Sequence, residues 1–185
     1  MFKQFDETSA PEASKPFLAN TKSSFGMIPN LEKTMAGEPT LLSVYSFAWD
    51  KFSETPLNPI EQQVVYQTVN FENECNYCVP WHTVLSKKVK MPEEVNSALR
   101  EGIKLPDEKL EALSTFARLL IHNRGKITQG QMDAFMSHGY QEKHALSVIL
   151  GIAIKTMSNF TNSIAQTPLD KEVEPFRWEK PTLGI

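Results

Sequence analysis

Cysteine is scarce in this chain: 185 residues carry only two, Cys75 and Cys78. A disulfide framework of the kind that staples small secreted domains is therefore excluded. Basic charge is not in excess either. The formal net charge is -3, and the densest basic run, Lys87-Lys88-Val89-Lys90, is short enough to be a solvated helix end, so a nucleic-acid partner is not expected. No apolar run reaches the roughly 18–20 residues that span a bilayer. The longest, from Ala145 to Ile154, is interrupted by Ser147 and Gly151, so no membrane partner is expected. Residues 1–20 lack the apolar core of a signal peptide. Together with the cysteine usage this points to a reducing, cytoplasmic setting, where a Cys-x-x-Cys pair is catalytic or metal-binding rather than a staple. Asn-Gly and Asp-Gly hairpin signals, sustained period-two alternation and internal repeats are missing as well, which leaves little room for β-structure.

What is present reads as helix after helix. Residues 1–20 are polar, contain Pro11 and Pro16, and are expected to form a flexible arm. A single all-helical domain is expected over 21–166, with an extended tail over 167–185. Pro39 opens one helix, and Asn58-Pro59 caps another that runs to about Glu72. A helix carrying the cysteines is expected from about Cys75 to Lys88. Pro92 opens a short helix that ends at Gly102, and Pro106 opens one that stops before Gly125. Thr128 and Gln131 form a capping box for the next. Glu142 to about Ala165 is the longest candidate, apolar nearly all round, and is expected to be the central, buried helix. The proline-bearing tail also holds Phe176 and Trp178, which need cover from the body or from a neighbouring subunit.

The chemistry concentrates in Cys75-Asn76-Tyr77-Cys78-Val79-Pro80-Trp81-His82. On a helix, positions 75, 78 and 82 share one stripe, so two thiols and an imidazole converge. A helix N-terminus favours an anion, which lowers a thiol's pKa. Cys78 is assigned as the attacking thiol, Cys75 as the resolving thiol and His82 as the proton shuttle. Tyr77, Val79 and Trp81 are expected to make a partly dry pocket. Zinc is the competing use, but the pattern supplies three ligands where a structural site takes four. Covalent haem needs the histidine directly after the second cysteine, where Val79 stands. No cofactor and no metal is therefore assigned. A non-enzymatic redox-sensing or zinc-binding helical module is the alternative of a different class.

The segments Leu57-Asn58-Pro59-Ile60-Glu61-Gln62-Gln63-Val64-Val65 and Asn73-Glu74-Cys75-Asn76-Tyr77-Cys78, followed by His82, resemble the carboxymuconolactone decarboxylase superfamily. Within it the match is to the alkylhydroperoxidase D-like, peroxidase-related branch. Phe25-Gly26-Met27-Ile28-Pro29-Asn30 and the stretch from Asn159-Phe160 to Thr167-Pro168-Leu169-Asp170 are similar to segments of that branch. The resemblance implies an all-α bundle, a trimer or hexamer, and an antioxidant thiol-disulfide peroxidase. In that chemistry Cys75 and Cys78 reduce a hydroperoxide, His82 relays the proton, and a dithiol or lipoyl-type donor restores the thiols. One departure matters most: the branch's relay glutamate, twelve residues before the first cysteine, is replaced by Gln63. Glu61 lies about 200° away around a helix and is a poor substitute. Gln63, Gln67 and Asn70 form a polar stripe that either faces the thiols or is solvated. Tyr77 stands where the branch has a histidine.

Overall fold

A computed structural model describes residues 2–181. Nine α-helices follow one another in it: α1 Lys15–Phe25, α2 Asn30–Met35, α3 Pro39–Ser53, α4 Pro59–Glu72, α5 Cys78–Lys88, α6 Glu93–Glu101, α7 Glu108–His122, α8 Gln129–Ser137 and α9 Glu142–Ala165. A 3-10 turn over Glu12–Ser14 precedes α1, and another over Lys171–Phe176 follows α9. No strand occurs among the described residues, as the missing hairpin signals led one to expect. No helix among them is long and apolar enough to cross a membrane.

The helix boundaries follow from local chemistry. Asn58 accepts from the backbone N–H groups of Ile60 and Glu61, while the Glu61 carboxylate accepts from the Asn58 N–H, so the two ends of the capping box satisfy each other. Thr128 and Gln131 repeat the device at α8. Gly102 closes α6 in the left-handed conformation, at φ 69°, which costs glycine nothing.

At the centre, α4 packs on α5, α7 and α9, and α9 also lies against α2 and α3. Ten of the residues of α4 are buried, from Glu61 to Phe71. Its close approach to α9 depends on Gly151: a β-carbon there would stand 2.7 Å from Val65 Cγ1 and 3.0 Å from Phe52 Cζ.

Four expectations need correction. The first 20 residues are not a loose arm. Ser14 and Leu18 are fully buried, the Ser14 hydroxyl donates to the Ala36 carbonyl, and the Phe5 N–H donates to the Lys33 carbonyl. Ala10 and Leu18 of this polar stretch are buried, and the first helical segments pack against α2 and α3. The tail is not simply extended. Its 3-10 turn packs on α5, and Trp178 is buried against Phe71 with its indole N–H donating to the Arg100 carbonyl; Thr182 to Ile185 lie outside the described residues.

The cysteine helix begins at Cys78 rather than Cys75, because Glu74 takes a left-handed φ of 53° and breaks the chain between α4 and α5. Finally, α9 is central but not buried all round. Leu146, Ile149, Phe160 and Ile164 are 68%, 52%, 58% and 70% exposed. Its inward face carries Lys155, Ser158, Asn159 and Asn162 beside the buried Val148 and Ile154. Hydrophobic periodicity could not reveal that the polar stripe was the inner one.

Replacing Gly151 by Ala is expected to lower stability by about 1–3 kcal/mol, the usual range for an overpacked core. Thermal unfolding of the variant, followed by circular dichroism, should show a melting temperature several degrees lower. An unchanged value would mean that α4 and α9 can separate freely.

Candidate functional site

Cys78 is the first residue of α5 and is buried, as is Cys75 in the turn before it. The Cys75 sulfur accepts the Cys78 backbone N–H at 3.3 Å, so the first thiol takes the position of a helix cap. The Cys75 carbonyl accepts from the Val79 N–H, which ties the turn to the helix. From the opposite side α9 reaches in. The Asn162 side-chain amide donates to the Cys78 sulfur at 3.2 Å, and the Ser158 hydroxyl lies 4.0 Å from it.

Burial by itself would push the Cys78 thiol up. The Cys75 thiol, the Lys155 cation and the amides of Asn159 and Asn162 outweigh it, and the pKa of Cys78 falls below the ordinary thiol value. The Cys75 thiol moves the other way, because it is the partner that holds the proton between the two sulfurs and is itself buried. These surroundings favour Cys78 over Cys75 as the more readily ionised thiol.

His82 is fully inside the bundle and meets neither sulfur through its ring nitrogens. Its Nδ1 lies 2.8 Å from Gln63 Oε1 and its Nε2 lies 3.0 Å from Lys155 Nζ. An ammonium has no lone pair to offer, so Lys155 donates and Nε2 accepts. The ring proton therefore sits on Nδ1 and is donated to Gln63. Burial, then the neighbouring Lys155 charge, holds the imidazole's pKa well below its ordinary value, so the ring stays neutral. The shuttle role expected of His82 has no direct hydrogen bond behind it here: the ring nitrogens are taken up by Gln63 and Lys155 and make none to Cys78. The glutamine that replaces the expected glutamate fits this neutral ring, since it accepts one hydrogen bond without adding a charge.

Gln63, Gln67 and Asn70 all face inward. Gln67 donates to the Val79 carbonyl, Asn70 donates to Gln67, and Asn159 donates to Asn70. The polar stripe of α4 thus joins α5 and α9 into one network. Glu61 is occupied elsewhere, by its own helix cap, by Tyr140 and by Lys109.

A cavity of about 100 Å³ opens onto Cys78, walled by Phe25, Leu31, Glu32, Tyr45, Trp49, Tyr77, Trp81, His82 and Lys155. Trp49 stacks on Tyr66, with ring centroids 5.1 Å apart, and Phe25 meets Trp81 edge-on at 6.2 Å. The cavity is therefore largely aromatic. Tyr77 and Trp81 line it as expected. Val79 does not; it packs beneath Phe71 and Trp178 on the far side of α5. Among the described residues no group of three or more His, Cys, Asp or Glu side chains comes together to hold a metal.

Three residues that line or brace the cavity were not picked out as site residues from the sequence: Lys155, Glu32 and Asp170. Asp170, after α9, accepts from the Tyr77 hydroxyl, from the Trp81 indole N–H at 3.0 Å and from the Asn30 backbone N–H. It clasps α2, α5 and the tail together around the cavity. The signal available for Lys155 was a lysine in an otherwise uncharged helical stretch from Ala145 to Ala165, where a charge is costly unless it has a task.

No protein-family model matches the sequence, and no curated protein matches it. Solved structures do match in fold. An alkylhydroperoxidase AhpD core, peroxidase-related protein from Ralstonia eutropha JMP134 superposes with a TM-score of 0.84 at 16% identity, covering 93% of each chain. A peroxidase-related protein from Silicibacter sp. TM1040 gives 0.76 at 18% identity over 88% of this chain and 87% of that one. The debrominase Bmp8, as a cysteine-to-alanine variant in complex with 2,3,4-tribromopyrrole, gives 0.77 at 15% identity over 95% and 94%. The chain therefore has the all-helical alkylhydroperoxidase D-like fold, one that also carries a debrominase.

Lys155→Met is expected to raise the titration midpoint of the Cys78 thiolate by roughly one to three units, the range for losing a close opposite charge. Ultraviolet thiolate absorbance against pH measures it, and an unmoved midpoint would remove Lys155 from the thiolate's environment.

Proposed function

We propose that this protein is a thiol-dependent peroxidase, or thiol-disulfide oxidoreductase, in which Cys78 attacks a hydroperoxide and Cys75 resolves the product. The observation that carries the proposal is the paired environment of the two sulfurs. Cys78 lies on an aromatic cavity with Lys155, its sulfur accepting from Asn162, in surroundings that lower its pKa, and Cys75 stands three residues away with its sulfur against the Cys78 N–H and its pKa raised. The likeness in fold to peroxidase-related proteins supports the same reading.

In the first step the Cys78 thiolate attacks the terminal oxygen of ROOH. A sulfur–oxygen bond forms, the O–O bond breaks, and the alkoxide leaves and takes a proton. Cys78 is then a sulfenic acid. The Cys75 sulfur attacks it, giving the Cys75–Cys78 disulfide and water. A dithiol donor, such as a lipoyl group, reduces the disulfide and becomes oxidised in turn. His82 and Gln63 serve by fixing Lys155 beside the sulfur. Tyr77 and Trp81 form cavity wall and are held by Asp170.

Steady-state consumption of cumene hydroperoxide with dihydrolipoamide tests this. Cys78→Ser should abolish it. Cys75→Ser should leave a single reaction per chain and a sulfenic acid detectable by mass spectrometry. Turnover by Cys78→Ser would reject the assignment, and stoichiometric oxidation of the wild type without turnover would favour a redox sensor. A parallel assay with a brominated pyrrole, prompted by the debrominase neighbour, separates a peroxide substrate from a halogenated aromatic one.

We also propose that the protein works as a homo-oligomer, a trimer or hexamer. The exposed stripe of Leu146, Ile149, Phe160 and Ile164 on α9 supports this, since apolar surface of that kind marks association sites. Light scattering should show the oligomer, and Leu146→Glu with Ile164→Glu should dissociate it; a monomeric wild type would count against it.

A further inference from the structure

Glu32 stands on α2 with its side chain inside the bundle, and its Oε2 is buried with no hydrogen-bond partner among the described residues. A carboxyl left so is costly, and nothing in the packing of α2 requires one. It lines the same cavity as Cys78. The elements around it bring Tyr45 from α3, Tyr77 and Cys78 from the start of α5, Lys155 from α9 and Asp170 from the tail. Burial above all raises the pKa of Glu32 to about 8, helped by the nearby Asp170 carboxylate and opposed by its own backbone N–H and by Lys155. That shift favours the acid form of Glu32 near neutral pH, on the cavity it shares with Cys78.

The other groups on the cavity are poorer proton donors. His82 has its single ring proton committed to Gln63. Tyr45 and Tyr77 are held well above the ordinary phenol value, mainly by burial. Lys155 is engaged with His82. Asp50 is exposed at the rim.

We propose that Glu32 is a catalytic residue, the general acid that protonates the departing alkoxide as Cys78 attacks the peroxide. The proposal rests on the peroxidase reading above. In the attack, the Cys78 sulfur gives its electron pair to the terminal oxygen, the O–O bond breaks, and the Glu32 proton passes to the leaving RO group to release ROH. Glu32 is left as a carboxylate next to the sulfenic acid. When Cys75 attacks, its thiol proton and the sulfenic hydroxyl leave together as water. Glu32 regains its proton from solvent through the open side of the cavity.

The test compares three reagents on the wild type and on Glu32→Gln, a substitution of nearly equal volume that keeps the site uncharged. Iodoacetamide alkylates the thiolate and needs no proton. Peroxyacetic acid expels a carboxylate, which also needs none. tert-Butyl hydroperoxide expels an alkoxide, which does. Single-turnover rates for the variant should fall about 100-fold or more with tert-butyl hydroperoxide, the scale of general acid catalysis, and by less than about threefold with the other two. In the wild type, the rate with tert-butyl hydroperoxide should decline as pH rises through about 8 and the acid form of Glu32 is lost, while alkylation should show no such decline. Equal slowing with all three reagents would make Glu32 structural and overturn the proposal, as would an unchanged rate with tert-butyl hydroperoxide. A wild type that is alkylated but reacts with neither peroxide would overturn the peroxidase reading itself, and the role of Glu32 with it.

Discussion

Lys155 carries a positive charge to the centre of a helical bundle, 1% exposed, with no carboxylate in ion-pair distance among the described residues. Burying such a charge costs several kcal/mol, about the scale found for single ions in protein interiors, unless the surroundings answer it. Here the answer comes from His82 Nε2, from the face of the Tyr66 ring 5.6 Å away, and from the Cys78 thiolate. The rest of the site follows from this one charge. His82 must be neutral to accept from it, with its ring proton on Nδ1, and Gln63 takes that proton's hydrogen bond without adding a charge. The charge also favours ionisation of Cys78, with the Cys75 thiol and the side-chain amides of α9 acting in the same direction.

The same charge sits within a polar run on the inner side of α9, next to the buried apolar residues Val148 and Ile154, while Leu146, Ile149, Phe160 and Ile164 face outward. Lys155, Ser158, Asn159 and Asn162 follow one another at helical spacing and point at α4 and α5. Each finds a partner there: His82, Cys78, Asn70 and Asn73. Buried polar groups of this density hold only if the network is nearly complete, and the tight α4–α9 approach at Gly151 keeps the partners in reach.

The tail contributes through Asp170. One buried carboxylate takes hydrogen bonds from three separate segments: the start of α2, the residue before α5 and the first turn of α5. This positions Glu32, Tyr77 and Trp81 around one cavity. A segment that looks like an exit from the domain is thus part of the wall of the site.

Much of this was legible in the sequence, and for local reasons. Helix starts at Pro59 and Gln129 are written in their capping boxes, and the stop at Gly102 in its left-handed backbone. The thiol pair and its place at the start of a helix follow from a spacing of three residues. The inward face of α4, left open as either solvated or facing the thiols, was undecided because glutamine and asparagine suit both. Lys155, Glu32 and Asp170 were out of reach, lying 77, 46 and 92 residues from Cys78 along the chain. By itself the sequence determined the helices and the two thiols, since those depend on neighbours a few residues apart. Only the tertiary structure decided which cation shares the cavity with Cys78, what His82 hydrogen-bonds and which carboxyl lines the cavity. Those are set by charges and burial brought together from distant helices.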